Sequence, residues 1–538
     1  MATISISLQD LHKQQHEALA RNDSQQMRDI ANKLKLVLEH NPDQWPAIFM
    51  LANCEQYLGD YVLAILLLHA ARWGANDSPE IHNNLGTAYR HLSCREQARA
   101  CYEESLKIRP DQGDVLQNIG TLYINEGMPE EAEPWFRKAM PLDPSQPHTH
   151  WNLGLTLLEK EEWDEGFREY AWGIATGDRM CKSYNKTPWW NGDPVKTLIV
   201  HGEQGIGDEC MYATLIPEIK RLGLAEYIIF DCHPRLEAIF ERSLKSAGAL
   251  SFGNYCVDEI HPTRKELKEE RIEWIKGRTF DAKCALGNVP KFLIHKEADF
   301  PRKAYIVPDP DKVAVYCEQI AEQLEKGKRP IAISWVGGTK KTNKTYRSVG
   351  LDALCAAILK RVPTAQFVSI QYTGHEEDIE QSNHEITAFP HIFESAKWEK
   401  YYPMVRGSYL QTDDGERLWV KDKYDAKEMS RKHGGDSEYY FEQPETGWDY
   451  SDFVAGLQAI HELGGAVVTI NNSTVHTCGA MGLPCFTLTP SKPAWRYGLK
   501  RNDMVWYPPD SVRQFRQKED DWAPALKQMA KKLAEYLR

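Results

Sequence analysis

Residues 79–112 read PEIHNNLGTAYRHLSCREQARACYEESLKIRPDQ, and residues 113–146 read GDVLQNIGTLYINEGMPEEAEPWFRKAMPLDPSQ. Laid one beneath the other, Gly86 falls on Gly120, Tyr89 on Tyr123, Ala98 on Ala132, Tyr102 on Phe136 and Pro110 on Pro144, a repeat of 34 residues. Gly154, Leu157, Gly166 and Tyr170 continue the series. In the earlier units Ala52, Ala64, Leu68 and Ala71 hold the matching places, then Ala18, Leu34 and Pro42, with Ile30 where a small residue is expected. Five units fit, at 11–44, 45–78, 79–112, 113–146 and 147–180. Small residues at fixed places let two helices approach and large ones fill the gaps, so each unit reads as a helical pair stacked on its neighbours.

The period and residue types resemble the tetratricopeptide repeat (TPR), which implies an all-α TPR solenoid over residues 1–180 with atypical end units acting as caps. Such a solenoid presents a concave binding surface and carries no chemistry of its own. The chemistry is therefore sought in the rest of the 538 residues, a length that calls for two or three domains. A formal charge of −12 argues against nucleic acid as a general partner. The opening MATISISLQDLHKQQHEAL lacks the pattern of a secretion signal, and no stretch offers roughly 18 uninterrupted apolar residues. The expectation is a cytoplasmic protein without a transmembrane segment. Twelve cysteines are scattered singly with no C-x-x-C pair, which favours reduced thiols and no metal site.

The repeat stops before the turn-rich Thr187-Pro-Trp-Trp-Asn-Gly-Asp-Pro194. Lys196–His201 and Tyr227–Phe230 are short apolar runs, each followed by a helical pattern, which predicts a parallel sheet wound with helices. After Pro308 a second series begins: Pro330–Trp335, Gln366–Gln371, Ala466–Ile470 and Cys485–Leu488. Two series predict two Rossmann-like domains, at 187–307 and 308–520, across a cleft. Between Phe389 and Trp448 the rhythm breaks into a segment rich in Trp, Tyr and charge, including Trp398, Tyr401, Trp419 and Tyr439. The plainer reading of 389–447 is a surface insertion with its own small core; the alternative is a lid over the cleft. Trp522, Leu526, Met529, Leu533 and Tyr536 at helical spacing predict a closing helix over 521–538 that packs across the domains.

Gly202 to Gly207 has the glycine spacing of a P-loop, but Asp208 and Glu209 stand where Lys and Ser or Thr must neutralise a phosphate. Cys210 likewise fills the third glycine place of a dinucleotide fingerprint. What remains is Asp208 at the first turn of a helix beyond a strand, where the positive end of the helix favours negative charge and the carboxylate can accept a proton from a hydroxyl. Asp208 or Glu209 simply stabilising the helix start is the competing reading. Lys340, Lys341, Lys344 and Arg347 crowd around the Gly337-Gly338 turn, an arrangement suited to a diphosphate or to a solvated loop. Asn471-Asn-Ser-Thr-Val-His476 opens a helix with small polar residues that can present backbone N–H groups to a phosphate or ribose, or merely cap the helix.

His201-Gly-Glu-Gln-Gly-Ile-Gly-Asp208, Trp335-Val-Gly-Gly to Arg347-Ser348, Ser369-Ile-Gln371 and Asn472-Ser-Thr-Val-His-Thr-Cys-Gly-Ala-Met-Gly-Leu-Pro484, with Trp495-Arg496 and Phe515-Arg516-Gln517 beyond, occur in that order. Together they resemble the bacterial TPR glycosyltransferases whose catalytic part is similar to ADP-heptose:lipopolysaccharide heptosyltransferases. The resemblance implies an α/β GT-B fold, with an acceptor-side N-terminal domain and a nucleotide-sugar-binding C-terminal domain. It implies a metal-independent glycosyltransferase, with a nucleotide-sugar as substrate and no cofactor. Asp208 becomes the candidate general base, with Gln204, Gly205 and Gly207 beside it on the acceptor side. Gly338, Lys340, Lys344, Arg347 and Ser348 would hold the diphosphate, Gln371 would lie near the nucleotide, and Asn472, Ser473, Thr474 and His476 near the donor phosphates or sugar. The repeats would recruit a protein or glycan acceptor. Two features depart from the family: Asn471 stands where many relatives carry Asp, and the 389–447 insertion is larger. Two other readings stay open. One is a TPR interaction scaffold with a degenerate GT-B part; the other resembles protein O-linked N-acetylglucosamine transferases, which makes the acceptor a protein.

Overall fold

The computed structural model describes residues 7–75, 78–245, 256–263, 269–337, 347–371, 376–388, 408–411, 417–420 and 450–538. The chain divides into two compact units, one of Met1–Lys160 with Arg168–Thr176, the other of Glu161–Phe167 with Gly177–Arg538.

The first unit is a solenoid of helical pairs. First helices begin at Trp45, Pro79, Gly113 and Pro147, and second helices at Tyr61, Arg95, Pro129 and Trp163, each series stepping by 34 residues. Proline within the first turn starts four of these helices, where its missing N–H leaves no bond unmade. Asp60 caps another by accepting from Leu63 N at 3.0 Å. The first pair runs ahead of this phase because Ser24–His40 spans 17 residues against 14 for Arg95–Ile108. Asparagines link successive first helices: Asn84 Nδ2 donates to Asn53 Oδ1 at 2.7 Å and Asn118 Nδ2 to Asn83 Oδ1 at 2.9 Å.

Within each pair the spacing depends on one small-against-large contact. A β-carbon added at Gly86 would lie 2.5 Å from the Tyr102 ring, one at Gly120 would lie 2.7 Å from the Phe136 ring, and one at Gly154 would lie 2.4 Å from the Tyr170 backbone. In the two earlier pairs the same places hold Ala52 with Leu68 and Ala18 with Leu34, all fully buried. As the small residue gains a methyl group, its partner gives up an aromatic ring. Gly120→Ala is therefore expected to destabilise the protein by about 1–3 kcal/mol through overpacking, despite the better helix propensity of Ala. Adding Phe136→Leu should recover part of that loss, and a double-mutant cycle read by urea denaturation checks it; additive losses would refute the pairing.

The second unit is built on two parallel sheets. In the first, β1 (Val195–His201), β2 (Ala225–Cys232), β3 (Glu259–Pro262) and β4 (Ala282–Ala285) take the order β3-β2-β1-β4. The second sheet adds β5 (Arg329–Ile333), β6 (Ala365–Ser369) and β7 (Ile386–Ala388). Within the 389–447 segment the described residues are β8 (Ser408–Gln411) and β9 (Arg417–Val420), an antiparallel pair. With β10 (Ala466–Ile470), β11 (Cys485–Thr489) and β12 (Val512–Arg516), the second sheet runs β12-β11-β10-β5-β6-β7. Strands β10 and β11 are buried along their whole length, which is why they read as continuous apolar runs rather than alternating ones.

Ile331, Val468, Phe486 and Phe515 of the second sheet share one core with Leu354 and with Leu526, Met529 and Leu533 of the closing helix, Ala523–Tyr536. That helix packs on the second sheet rather than across two domains, because its apolar stripe is consumed there. A cluster of aromatic rings closes the unit elsewhere: Trp506 lies 4.8 Å from Phe300, 5.4 Å from Tyr212 and 6.3 Å from Phe167 and Trp495, and Trp163 lies 5.0 Å from Phe300. Around it Arg501 pairs with Glu161, Glu297 and Asp503. Trp163 and Phe167 belong by sequence to the fifth repeat, yet they complete this core.

Candidate functional site

The candidate residues gather beyond the carboxyl ends of the parallel strands, where open α/β sheets place their ligands. Strand β1 ends at His201 and leads into Gly202–Gly207, then into the helix Ile206–Tyr212. Under this loop Glu203 is paired with Arg179, Oε1 lying 3.1 Å from Nε and 2.6 Å from Nη2. Gln204 Nε2 donates to the same Glu203 oxygen at 3.0 Å, so its side chain serves the loop. Glu209 is buried and accepts from His233 N at 2.9 Å. Burial raises its carboxyl to about 8, and the neighbouring Glu203, Asp231 and Asp208 push the same way.

A second layer fixes this floor. Tyr184, Asn185 and Lys186 take consecutive positive φ angles of 47°, 58° and 63°, a left-handed turn that costs energy for non-glycine residues. Glu269 compensates by accepting from Ser183 N at 3.0 Å and Asn185 N at 2.5 Å. The turn delivers Tyr184 Oη to Asp231 Oδ2 at 2.7 Å. His201 lies 3.1 Å from Cys181 Sγ, and burial with nearby Lys283, Lys182 and Arg179 lowers it to about 3, so it stays neutral.

From the second sheet, β10 ends at Ile470 and Asn472 caps the helix Ser473–Met481, accepting from Thr474 N at 3.0 Å while its Nδ2 donates to Ser334 Oγ at 3.0 Å. Thr474 is buried and Ser473 is exposed. His476 is buried between two tyrosines, with Nδ1 2.8 Å from Tyr507 Oη and Nε2 3.1 Å from Tyr497 Oη. Burial holds it well below its usual range, helped by the charges of Arg496 and Arg347. A neutral imidazole with both nitrogens engaged is a positioning element rather than a cation for phosphate. Arg347 Nη2 donates to Asn471 O at 2.7 Å, while the buried Asn471 Nδ2 has no hydrogen-bond partner among the described residues. Gln371 is turned onto the loop after β5: its Oε1 accepts from Trp335 N and Val336 N, both at 2.9 Å.

The two sides meet at Gly207. A β-carbon there would lie 3.0 Å from His476 Cδ2 and 3.1 Å from Ser473 Cα, so a side chain at this place would crowd the start of the helix Ser473–Met481. At the next residue, Asp208 Oδ1 lies 2.6 Å from Arg496 Nη2 and Oδ2 accepts from Gly205 N at 3.4 Å. Asp208, Gly205, Gly207, Ser473, Thr474, His476 and Arg347 thus share one locality, with Gln204, Asn472 and Gln371 acting on its walls. Ser348 follows Arg347 and is half-buried. Gly338, Lys340 and Lys344 lie outside the described residues.

Sequence reasoning did not place Arg496, Tyr497, Tyr507 or Glu209 in the site. Trp495-Arg496-Tyr497 after strand β11 carried the one available signal, an arginine beyond a strand end; Tyr507 offered none. Among the described residues, no group of three or more His, Cys, Asp or Glu is placed to hold a metal ion, and no helix is long and apolar enough to cross a membrane. All twelve cysteines are free thiols.

The tetratricopeptide repeat family matches residues 77–145. The repeats of the first unit are tetratricopeptide repeats. Protein FlbA of Caulobacter vibrioides is 25% identical over 360 residues, 64% of this chain and 48% of FlbA, so the chain spans about half the length of that curated relative. A thermophilic TPR protein of Thermus thermophilus is 18% identical, covering 32% of this chain and 92% of its own at a TM-score of 0.28. PilF of Pseudomonas aeruginosa is 20% identical, covering 32% and 76% at 0.28.

Glu209 gives the site a pH signature. Its folded pKa is raised, so the native state binds more protons than the unfolded one between about 4.5 and 8, and stability from this group falls as pH rises through that window. Glu209→Gln keeps an acceptor for His233 N and removes the ionisation. Chemical denaturation from about pH 5 to about pH 8.5 is expected to show a less negative slope of stability against pH for the variant. An unchanged slope would mean that Glu209 ionises normally.

Proposed function

We propose that the second unit is a GT-B-type glycosyltransferase, moving a sugar from a nucleoside-diphosphate donor to a hydroxyl of a protein or glycan that the TPR surface recruits. The observation that carries this reading is the meeting at Gly207: a carboxylate from beyond the first sheet stands beside a helix start and two arginines, Arg347 and Arg496, from beyond the second. An acceptor-activating acid residue and a positive cradle for a departing diphosphate are the two needs of such a transfer. In the step, the acceptor oxygen bonds to the anomeric carbon as that carbon's bond to the diphosphate oxygen breaks. The bonding pair leaves with the diphosphate toward Arg496, Arg347 and the backbone N–H groups that open the helix Ser473–Met481, and the acceptor proton passes to Asp208. His476, locked by Tyr497 and Tyr507, orients this wall. TPR repeats suit protein partners, so a protein acceptor is the simpler one.

One observation favours a second reading, a TPR scaffold with a non-catalytic sheet region: Asp208, His476, Asn472 and Gln371 all have protein partners. A thermal-shift panel of UDP-, GDP-, ADP- and CMP-sugars separates the two. Stabilisation by one donor class is expected, about 2–3 kcal/mol at roughly 100 times Kd, and stabilisation by none would favour the scaffold. With that donor, Asp208→Asn should lower kcat for transfer at least about 100-fold while leaving donor binding intact. Full activity in that variant would overturn the base assignment.

A further inference from the structure

Asp208 and Arg496 occupy each other. Oδ1 of Asp208 lies 2.6 Å from Arg496 Nη2, with 20% of the Asp208 side chain and 19% of the Arg496 side chain exposed. Oδ2 of Asp208 faces its own loop through Gly205 N. A carboxylate oxygen held by a guanidinium at this distance cannot at the same time take a proton from an acceptor hydroxyl. The guanidinium is committed in the same way: whatever it gives to the carboxylate it withholds from a phosphate. The two roles that sugar transfer asks of this pair therefore exclude each other while the pair is closed.

The surroundings show how the exclusion is lifted. Arg496 is anchored at its backbone, because Trp495 before it is buried 6.3 Å from Trp506 and Tyr497 after it is buried against His476. Its long side chain can exchange one anion for another without moving that anchor. Arg347 stands on the same wall, since both arginines bear electrostatically on the buried His476, and the start of the helix Ser473–Met481 adds its positive end. A diphosphate carries more charge than one carboxylate and meets a guanidinium through two oxygens, so it is the stronger partner for Arg496. We infer that Asp208 and Arg496 form a donor-released latch: the diphosphate of an arriving nucleotide-sugar takes Arg496 from Asp208 and so frees the carboxylate to act as the base. The latch rests on the glycosyltransferase reading above and adds a rule of order to it. Asp208 competes with the diphosphate until the donor is seated, and the acceptor can react only afterwards. Donor affinity is reduced by the pair that has to be opened.

Titration calorimetry of the full chain with UDP, GDP, ADP and CDP tests it. For the nucleoside diphosphate that binds, Asp208→Asn keeps the donor site and is expected to bind about three- to tenfold tighter than wild type, because Arg496 is already released. Arg496→Gln is expected to bind at least about tenfold weaker, and in that background Asp208→Asn to change affinity by less than about twofold. Thermal melts establish that the variants fold. Arg496→Lys, which keeps the charge but not the fork, carries the cycle if Arg496→Gln does not fold. An Asp208→Asn protein that binds no tighter than wild type would overturn the latch. So would a tightening that persists without Arg496, since it would come from the general field of the carboxylate, or an Arg496→Gln protein with wild-type affinity. These three results leave the glycosyltransferase reading standing. Binding of no nucleoside diphosphate by wild type and Asp208→Asn alike would overturn that reading and the latch with it.

Discussion

A ring or an aliphatic side chain resting where a β-carbon is small or missing sets the distance between the paired helices of the first unit. The Tyr102 ring on Gly86 and the Phe136 ring on Gly120 make that distance short, the backbone at Tyr170 comes directly against Gly154, and Leu68 with Ala52 and Leu34 with Ala18 hold the same places by a different division of volume. Each pair can bury its apolar stripe only against a neighbour at constant spacing, so this exchange of volume permits the stack to continue. Asparagines between successive first helices then fix the stagger by hydrogen bonds rather than by bulk.

The same rule operates where chemistry is concentrated. Gly207 admits Ser473 and His476 to within contact distance, and that approach lets Asp208 reach Arg496 from the far end of the chain. Polar groups are buried densely around this contact. Arg179 and Glu203 are enclosed together, Tyr184 is held in a left-handed turn to reach Asp231, and Glu209 loses its ordinary acidity to burial. Such arrangements add little to stability and are typical of places where a fold holds side chains in prescribed positions.

The repeats were legible because a 34-residue period compares the chain with itself, and buried strands such as β10 were legible because every residue in Ala466–Ile470 is enclosed. Other strands hid for physical reasons. Strand β4 is only Ala282–Ala285 and contains Lys283, whose ammonium is buried against the carbonyls of Lys182 and Ser183. Strand β12 reads as polar because Gln514 and Arg516 reach back to the carbonyls of Tyr497, Arg501 and Asp503. In the candidate site, Asp208 and the Asn472–His476 helix start carried local signals. That Tyr497 and Tyr507 clamp His476 and that Arg496 meets Asp208 are consequences of tertiary packing, and of these residues only the Trp495-Arg496-Tyr497 run beyond a strand end left a local trace.

The helix Trp163–Tyr170 has a consequence for how such a chain can arise and be rearranged. Its early residues, Trp163 and Phe167, fill the aromatic core of the second unit, while the segment from Arg168 to Thr176 returns to the first. The chain crosses from one core to the other more than once, so no single cut leaves both intact. A recombination event that joined foreign repeats to this sheet region would have to carry the last helix along with the sheets.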